Sequence, residues 1–289
     1  MAIGLVTDST ADLPPGVLEE FDIEVVPLNV HFGDQVFKDG VDIQNDEFYQ
    51  KLDEVEKIPS TSQPSAGVFL EKYREMGEKY DSIISIHISG ELSGTINSAE
   101  IAARQLSDMD IHLIDSRGAS LGHGFQVIMA ARMIDRGMHL EEIIEGVKKA
   151  RENTSIYFTV GELTYLKEGG RIGKASALLG SVLNVNPILK IDTATGIIGP
   201  HSKTRGRKRT LKKMIEVNKK ELTDEPTWIG YLNGKAGDYY SSFTEQMTAE
   251  AERITSSLEV FASDLGPVIG SHVGPLVYGC IIVKGDFLV

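Results

Sequence analysis

Short β-branched runs alternate with stretches of helical spacing through the first half of the chain. Residues 3–7 read as a strand and 14–21 as a short helix. Residues 23–32 form an extended run that turns at Gly33-Asp34 into 35–37, which predicts a β-hairpin. Helical spacing covers 46–53, 66–80 and 98–106, with strands at 83–88 and 111–114 ahead of a long helix over 121–135. Strands alternating with helices predict a parallel sheet with helices on both faces. Ligands on such sheets sit beyond the carboxyl ends of the strands. A helix over 140–153 reads as a connector, and the pattern changes after it. Strands are expected at 156–160, 187–191, 197–203, 228–232 and 277–283, with a turn at Thr195-Gly196 and helices at 208–219 and 239–256. The fold class is α/β: an N-terminal α/β/α domain over 1–155 and a C-terminal α+β domain over 156–289.

Several strand ends carry hydroxyl residues. Ile83, Ile84, Ile86 and Ile88 lead into Ser89, Gly90, Ser93, Gly94 and Thr95, and an alanine-rich helical pattern follows. A strand that stops at small hydroxyl residues and restarts as a helix turns unpaired N–H and O–H groups toward one point, a site for a small anion. Thr61-Ser62-Gln63-Pro64-Ser65 repeats the arrangement upstream. Serine and threonine are ordinary helix caps, so one such loop means little, but two favour a ligand site. In Gly270-Ser271-His272-Val273-Gly274-Pro275 a histidine lies between two glycines just before the last strand, where backbone can approach a ligand. Arg171, within Glu168-Gly169-Gly170-Arg171-Ile172-Gly173-Lys174, could project as a bidentate donor to a carboxylate or phosphate. That stretch is not a nucleotide loop: its glycine spacing is too short, and Ala175 stands where a magnesium-binding hydroxyl is needed. Asp115-Ser116 and Ser120-Leu121-Gly122-His123-Gly124 form another hydroxyl and glycine loop, with His123 expected at a helix start or on the surface.

Composition narrows the reading. The N-terminal stretch has no basic region and meets Asp8 too early for a signal peptide, and no apolar run approaches membrane-spanning length. Cys280 is the single cysteine, so an intramolecular disulfide is impossible and a cytoplasmic location is expected. A net charge of −13 argues against nucleic-acid binding. Against that balance, Lys203, Arg205, Arg207, Lys208, Arg209, Lys212 and Lys213 lie close together. The seven histidines show no metal-ligand spacing. Ser93 does not sit in a nucleophile elbow. Ser93, His272 and an aspartate could in principle form a triad, but nothing in the sequence orders a base and its orienting acid.

Taken in order, DSTADL at Asp8, TSQPS at Thr61, SGELSGT at Ser89, DSRGASLGHG at Asp115, EGGRIG at Glu168 and GSHVGP at Gly270 resemble the DegV family across essentially the whole chain. One departure is Leu276, where the family often has glycine after the His-x-Gly-Pro motif. The resemblance implies two domains with a long-chain fatty acid buried between them. Its carboxylate would be held by Thr61, Ser62, Ser93, Thr95 and His272. It further implies a non-catalytic binding subunit of fatty acid kinase, without metal or cofactor, which presents the carboxylate to a separate ATP-binding subunit. The product would be an acyl phosphate for phospholipid synthesis. Phe69, Leu92, Ile96, Ile128, Phe158, Leu163, Leu178 and Ile191 are candidate tunnel residues. The basic run, with Arg171, Arg205, Arg207 and Arg209, is expected to dock an acidic partner, with an anionic membrane surface as the competing use. Two alternatives stand beside this reading: a serine hydrolase using Ser93 and His272, and a sugar-kinase-like substrate subunit, since dihydroxyacetone kinases are distantly similar in fold.

Overall fold

A β-branched strand, Ser82–His87, lies at the centre of a four-stranded parallel sheet with every residue buried. The computed structural model describes residues 2–14, 16–179 and 185–287. The spatial order of this sheet is Ile23–Val26, Ile3–Asp8, Ser82–His87 and Asp110–Asp115. Helices Ala66–Gly77 and Thr95–Arg104 cover one face through Phe69, Tyr73, Met76, Ala99 and Ala102. Helix Leu121–Asp135 covers the other. It is buried on nearly every side, because the six-stranded sheet packs against its far face. Gly122 and Gly124 permit that closeness. A Cβ at Gly122 would lie 2.5 Å from Ile156, and one at Gly124 would lie 2.5 Å from the Ala11 carbonyl oxygen. His123 between them is fully buried, not surface-exposed, because both of its flanks are covered.

The six-stranded sheet runs Ile197–Thr204, Asn186–Asp192, Thr154–Thr159, Tyr278–Lys284, Thr227–Asn233 and Leu258–Asp264. All its pairings are antiparallel except the last. Helices Arg207–Lys219 and Asp238–Ile254 close its outer face around Met214, Phe243 and Met247. The inner face joins the four-stranded sheet in one shared apolar core.

The expected extended run over 23–32 is two elements. Pro27 cannot donate to a ladder, and the chain leaves the parallel sheet after Val26. Asn29–Phe32 then pairs with Gln35–Lys38 on one side and Ser60–Ser62 on the other, forming a separate three-stranded antiparallel sheet. Its register sets Val30 opposite Thr61. The segment around His272 is a helix, Pro267–Val273, where an irregular approach of backbone was expected. Pro267 occupies its first position, and Gly274, at φ +74°, ends it.

Candidate functional site

The site begins with a cavity of about 270 Å³ walled by strands of the six-stranded and three-stranded sheets and by the loops that follow strands Ser82–His87 and Asp110–Asp115 of the parallel sheet. Ile88, Ile156, Phe158, Ile191, Leu232 and Val277 are among its apolar lining. One part of the wall is polar, with Thr61, Ser62, Gln63, Ser93, Arg171 and His272 together. Strand Ser60–Ser62 delivers Thr61, the loop after strand Ser82–His87 delivers Ser93, and the last turn of helix Pro267–Val273 delivers His272.

Thr61 Oγ1 and His272 Nε2 share a hydrogen bond of 2.7 Å, which ties the small sheet to the helix. The opposite ring nitrogen, Nδ1, has no partner and lies against Gly169, where a Cβ would come within 2.2 Å of it. Burial, reinforced by the Arg171 charge, pushes the His272 pKa down to about 4. The ring is therefore neutral at neutral pH. Arg171 donates from Nε to the Leu92 carbonyl at 2.9 Å and from Nη1 to the Gly169 carbonyl at 2.6 Å, which fixes the guanidinium beside the cavity. Ser93 Oγ bonds Thr95 Oγ1 at 2.8 Å and accepts from the Thr95 N–H at 3.3 Å, at the start of helix Thr95–Arg104.

The structure thus brings Thr61, Ser62, Ser93 and His272 to one cavity, and with them Arg171. Thr95 is fully buried and does not line it; its hydroxyl orients Ser93. Ser62 lines the edge, where its Oγ also meets His31 Nε2 at 2.9 Å. Arg171 stands with the polar residues of the cavity and apart from Arg205, Arg207 and Arg209, which are exposed and border other clefts. Of the suggested tunnel residues, Leu92, Phe158 and Ile191 line the cavity. Phe69 instead packs on His87 in a different core, and Ile128 is interior to the sandwiched helix. Gln63 and Ser120 were missed. Gln63 lay within the TSQPS motif, and Ser120 within the DSRGASLGHG motif.

The hydrolase geometry is not assembled at Ser93, since His272 Nε2 is engaged by Thr61 and no carboxylate meets its Nδ1. An Asp–His–Ser relay does occur elsewhere. Asp8 Oδ2 meets His87 Nδ1 at 2.9 Å, and His87 Nε2 meets Ser85 Oγ at 2.7 Å. All three residues are fully buried, and the Ser85 hydroxyl is taken by the Tyr73 phenol at 2.8 Å. Burial raises the Asp8 pKa, but His123, His87 and Thr10 outweigh it and hold the carboxyl at about 2. This relay ties strands together; a substrate has no access to it.

The DegV family profile, described as "Uncharacterised protein, DegV family", matches residues 2–285. The chain belongs to the DegV family. Protein DegV of Bacillus subtilis is 34% identical over 278 residues, covering 95% of this chain and 96% of that one. A DegV family protein from Thermus thermophilus, described by its fatty acid binding, superposes with a TM-score of 0.91 at 34% identity over 98% of this chain and all of that one. DegV from Bacillus subtilis, described as a fatty acid binding protein, superposes at 0.88 with 31% identity over 98% and 99% of the two chains. A stearic-acid-binding protein from Eubacterium ventriosum superposes at 0.86 with 28% identity over 98% of each. These three solved relatives are each described as binding a fatty acid. The expected α/β class is observed, as a parallel four-stranded sheet and a separate mixed six-stranded sheet, and agrees with these neighbours.

Proposed function

We propose that this chain binds a long-chain fatty acid with its tail in the apolar cavity and its carboxylate at Thr61, Ser93, His272 and Arg171, and presents that carboxylate to a separate ATP-dependent kinase subunit. The observation that carries the reading is an apolar cavity with a cluster of hydroxyl, imidazole and guanidinium groups gathered in one part of its wall. Each buried methylene contributes about 0.8 kcal/mol, so the chain supplies most of the affinity. A carboxylate is costly to bury without donors, and the cluster supplies them. The head-group bonds then fix orientation more than strength. Phosphoryl transfer to the carboxylate would yield an acyl phosphate for phospholipid synthesis. The exposed arginines 205, 207 and 209 are the docking face in this scheme, for an acidic kinase surface.

Native mass spectrometry and lipid extraction of the purified protein test the binding step. A co-purified fatty acid, or micromolar or tighter affinity for one added to delipidated protein, is expected. A protein that stays empty and binds no long-chain acid would overturn the reading.

A further inference from the structure

Most of the cavity wall away from the head group is aliphatic or aromatic, and Ser120 interrupts it. Ser120 is 2% exposed, and its Oγ completes no hydrogen bond of normal geometry. Its place in the chain makes this unusual. Ser120 is the N-cap of helix Leu121–Asp135, where a serine hydroxyl ordinarily accepts an N–H from the first turn. Here no such bond forms. The carbonyl of Ser120 starts the helix instead, accepting from His123 N and Gly124 N at 2.8 Å each. The residue is held at φ 51° and ψ −138°, a conformation that non-glycine residues rarely adopt. A strained backbone therefore keeps a hydroxyl in an apolar wall without using it to cap the helix.

The Asp12 carboxyl lies beside that hydroxyl. Its Oδ1 accepts the Gly266 N–H at 3.1 Å, while its Oδ2 has no partner. Burial, together with the nearby Asp39 and Asp8 charges, raises the Asp12 pKa well above the carboxylate range, outweighing the Ser120 hydroxyl and the Gly266 N–H, which lower it. A neutral Asp12 can donate to Ser120 Oγ and leave the serine proton for a third group. Gly266 immediately precedes helix Pro267–Val273, and His272 is six residues further on. At 1.5 Å rise per residue the Ser120–Asp12 pair lies roughly 9 Å along that helix from the head group. That distance falls part-way along a long acyl chain.

We propose that Ser120, backed by Asp12, is a second polar subsite that recognises an oxygen substituent on the acyl chain, so that the ligands of this protein include hydroxy, keto or epoxy fatty acids. This rests on the cavity being an acyl-chain site. Ser120 donates to the substituent oxygen, which supplies the acceptor that its proton lacks when the cavity holds a plain chain, while Asp12 donates to Ser120 Oγ.

The test is the ratio of affinities for hydroxystearate positional isomers and for stearate, measured by calorimetry on the delipidated full chain. Ser120→Ala and Ser120→Gly serve as variants, the glycine because it tolerates the positive φ if alanine does not fold. At least one isomer should bind the wild-type protein as tightly as stearate does. Its hydroxystearate-to-stearate ratio should fall at least tenfold in the variants. A wild-type protein that rejects every isomer as strongly as the variants do would overturn the subsite while leaving stearate binding intact. Failure of stearate itself to bind would remove the fatty acid reading and this subsite with it.

Discussion

His272 is held neutral by burial and by Arg171, with a pKa of about 4 against the usual 6.5. A base whose pKa is depressed on folding takes up its proton in the unfolded chain first. Its contribution is unaffected above pH ~6.5, and stability is lost as pH falls toward 4, by ~3 kcal/mol in all. His272→Gln should lose that slope, and denaturant midpoints taken between pH 4 and 7 on both proteins will show it. A bound carboxylate stabilises the imidazolium and should flatten the wild-type slope as well. Gly169 offers a complementary probe. Its φ of −71° suits any residue, so Gly169→Ala strains no backbone but drives a methyl group into His272 Nδ1. We expect fatty acid affinity to fall several-fold in Gly169→Ala with little change in thermal midpoint. Thr61→Ala and Ser93→Ala each remove one donor worth on the order of 1 kcal/mol. They should slow acyl phosphate formation by an amount that the co-purified lipid content does not reveal, because the chain dominates binding. Equal turnover in both would mean that the head group lies elsewhere.

Helix Pro267–Val273 shows what a single element needs in order to present a histidine. Its start is gripped by two aspartates: Asp12 accepts from Gly266 N, and Asp39 from Val268 N, with Ser9 Oγ donating to Asp39 at 2.9 Å. Burial, with Asp8 nearby, raises the Asp39 pKa to about 6. An acid raised on folding works in the opposite sense to His272. The ionised form is disfavoured in the native state, so stability falls as pH rises from ~3.8 through ~6. Asp39→Asn removes that charge penalty of up to ~3 kcal/mol but gives up one acceptor worth ~1 kcal/mol. The variant should therefore be about 2 kcal/mol more stable at pH 8 and no more stable at pH 4, as urea titrations would measure. A uniform loss at both pH values would refute the assignment. This anchoring was not visible in the sequence. Asp12, Asp39 and Gly266 are far apart in the chain, and the glycines around His272 suggested irregular backbone until Pro267 is seen to start a helix. The parallel sheet was legible because Ile83, Ile84 and Ile86, buried on both faces, leave a β-branched run broken only by Ser85. The edge strand Leu258–Asp264 was not, since most of its residues are partly or fully exposed and carry no burial pattern. The hydroxyls that gather at the cavity, Thr61, Ser62 and Ser93, were legible as motifs. The role of Thr95 as support for Ser93 needed the register of the helix start.

Across the whole molecule, charge is unevenly placed. The chain carries −13 overall, yet Arg205, Arg207, Lys208 and Arg209 are exposed together where strand Ile197–Thr204 meets helix Arg207–Lys219. Arg207 lies over the Tyr239 ring at 5.6 Å, which orders one of these side chains. Reversing Arg205, Arg207 and Arg209 to glutamate should raise the apparent KM of a kinase subunit for this protein at least tenfold, most strongly at low salt. Loss of liposome binding with unchanged kinetics would assign the patch to membranes. The sandwiched helix Leu121–Asp135 has a bearing on timing. A Cβ at Gly122 or Gly124 would come within 2.5 Å of the neighbour on its side, so only glycine fits there, and the helix belongs to the core that both large sheets share. The two large sheets cannot part like a clamshell without exposing that whole core to water. The proposed fatty acid would then come and go past the small three-stranded sheet and the His272 helix, which rest on a lesser cluster around Phe48, Tyr49 and Val268. Under the proposed function, exchange of the cargo is set by local opening there, and a fatty acid labelled in place should leave the protein far more slowly than a surface-bound one.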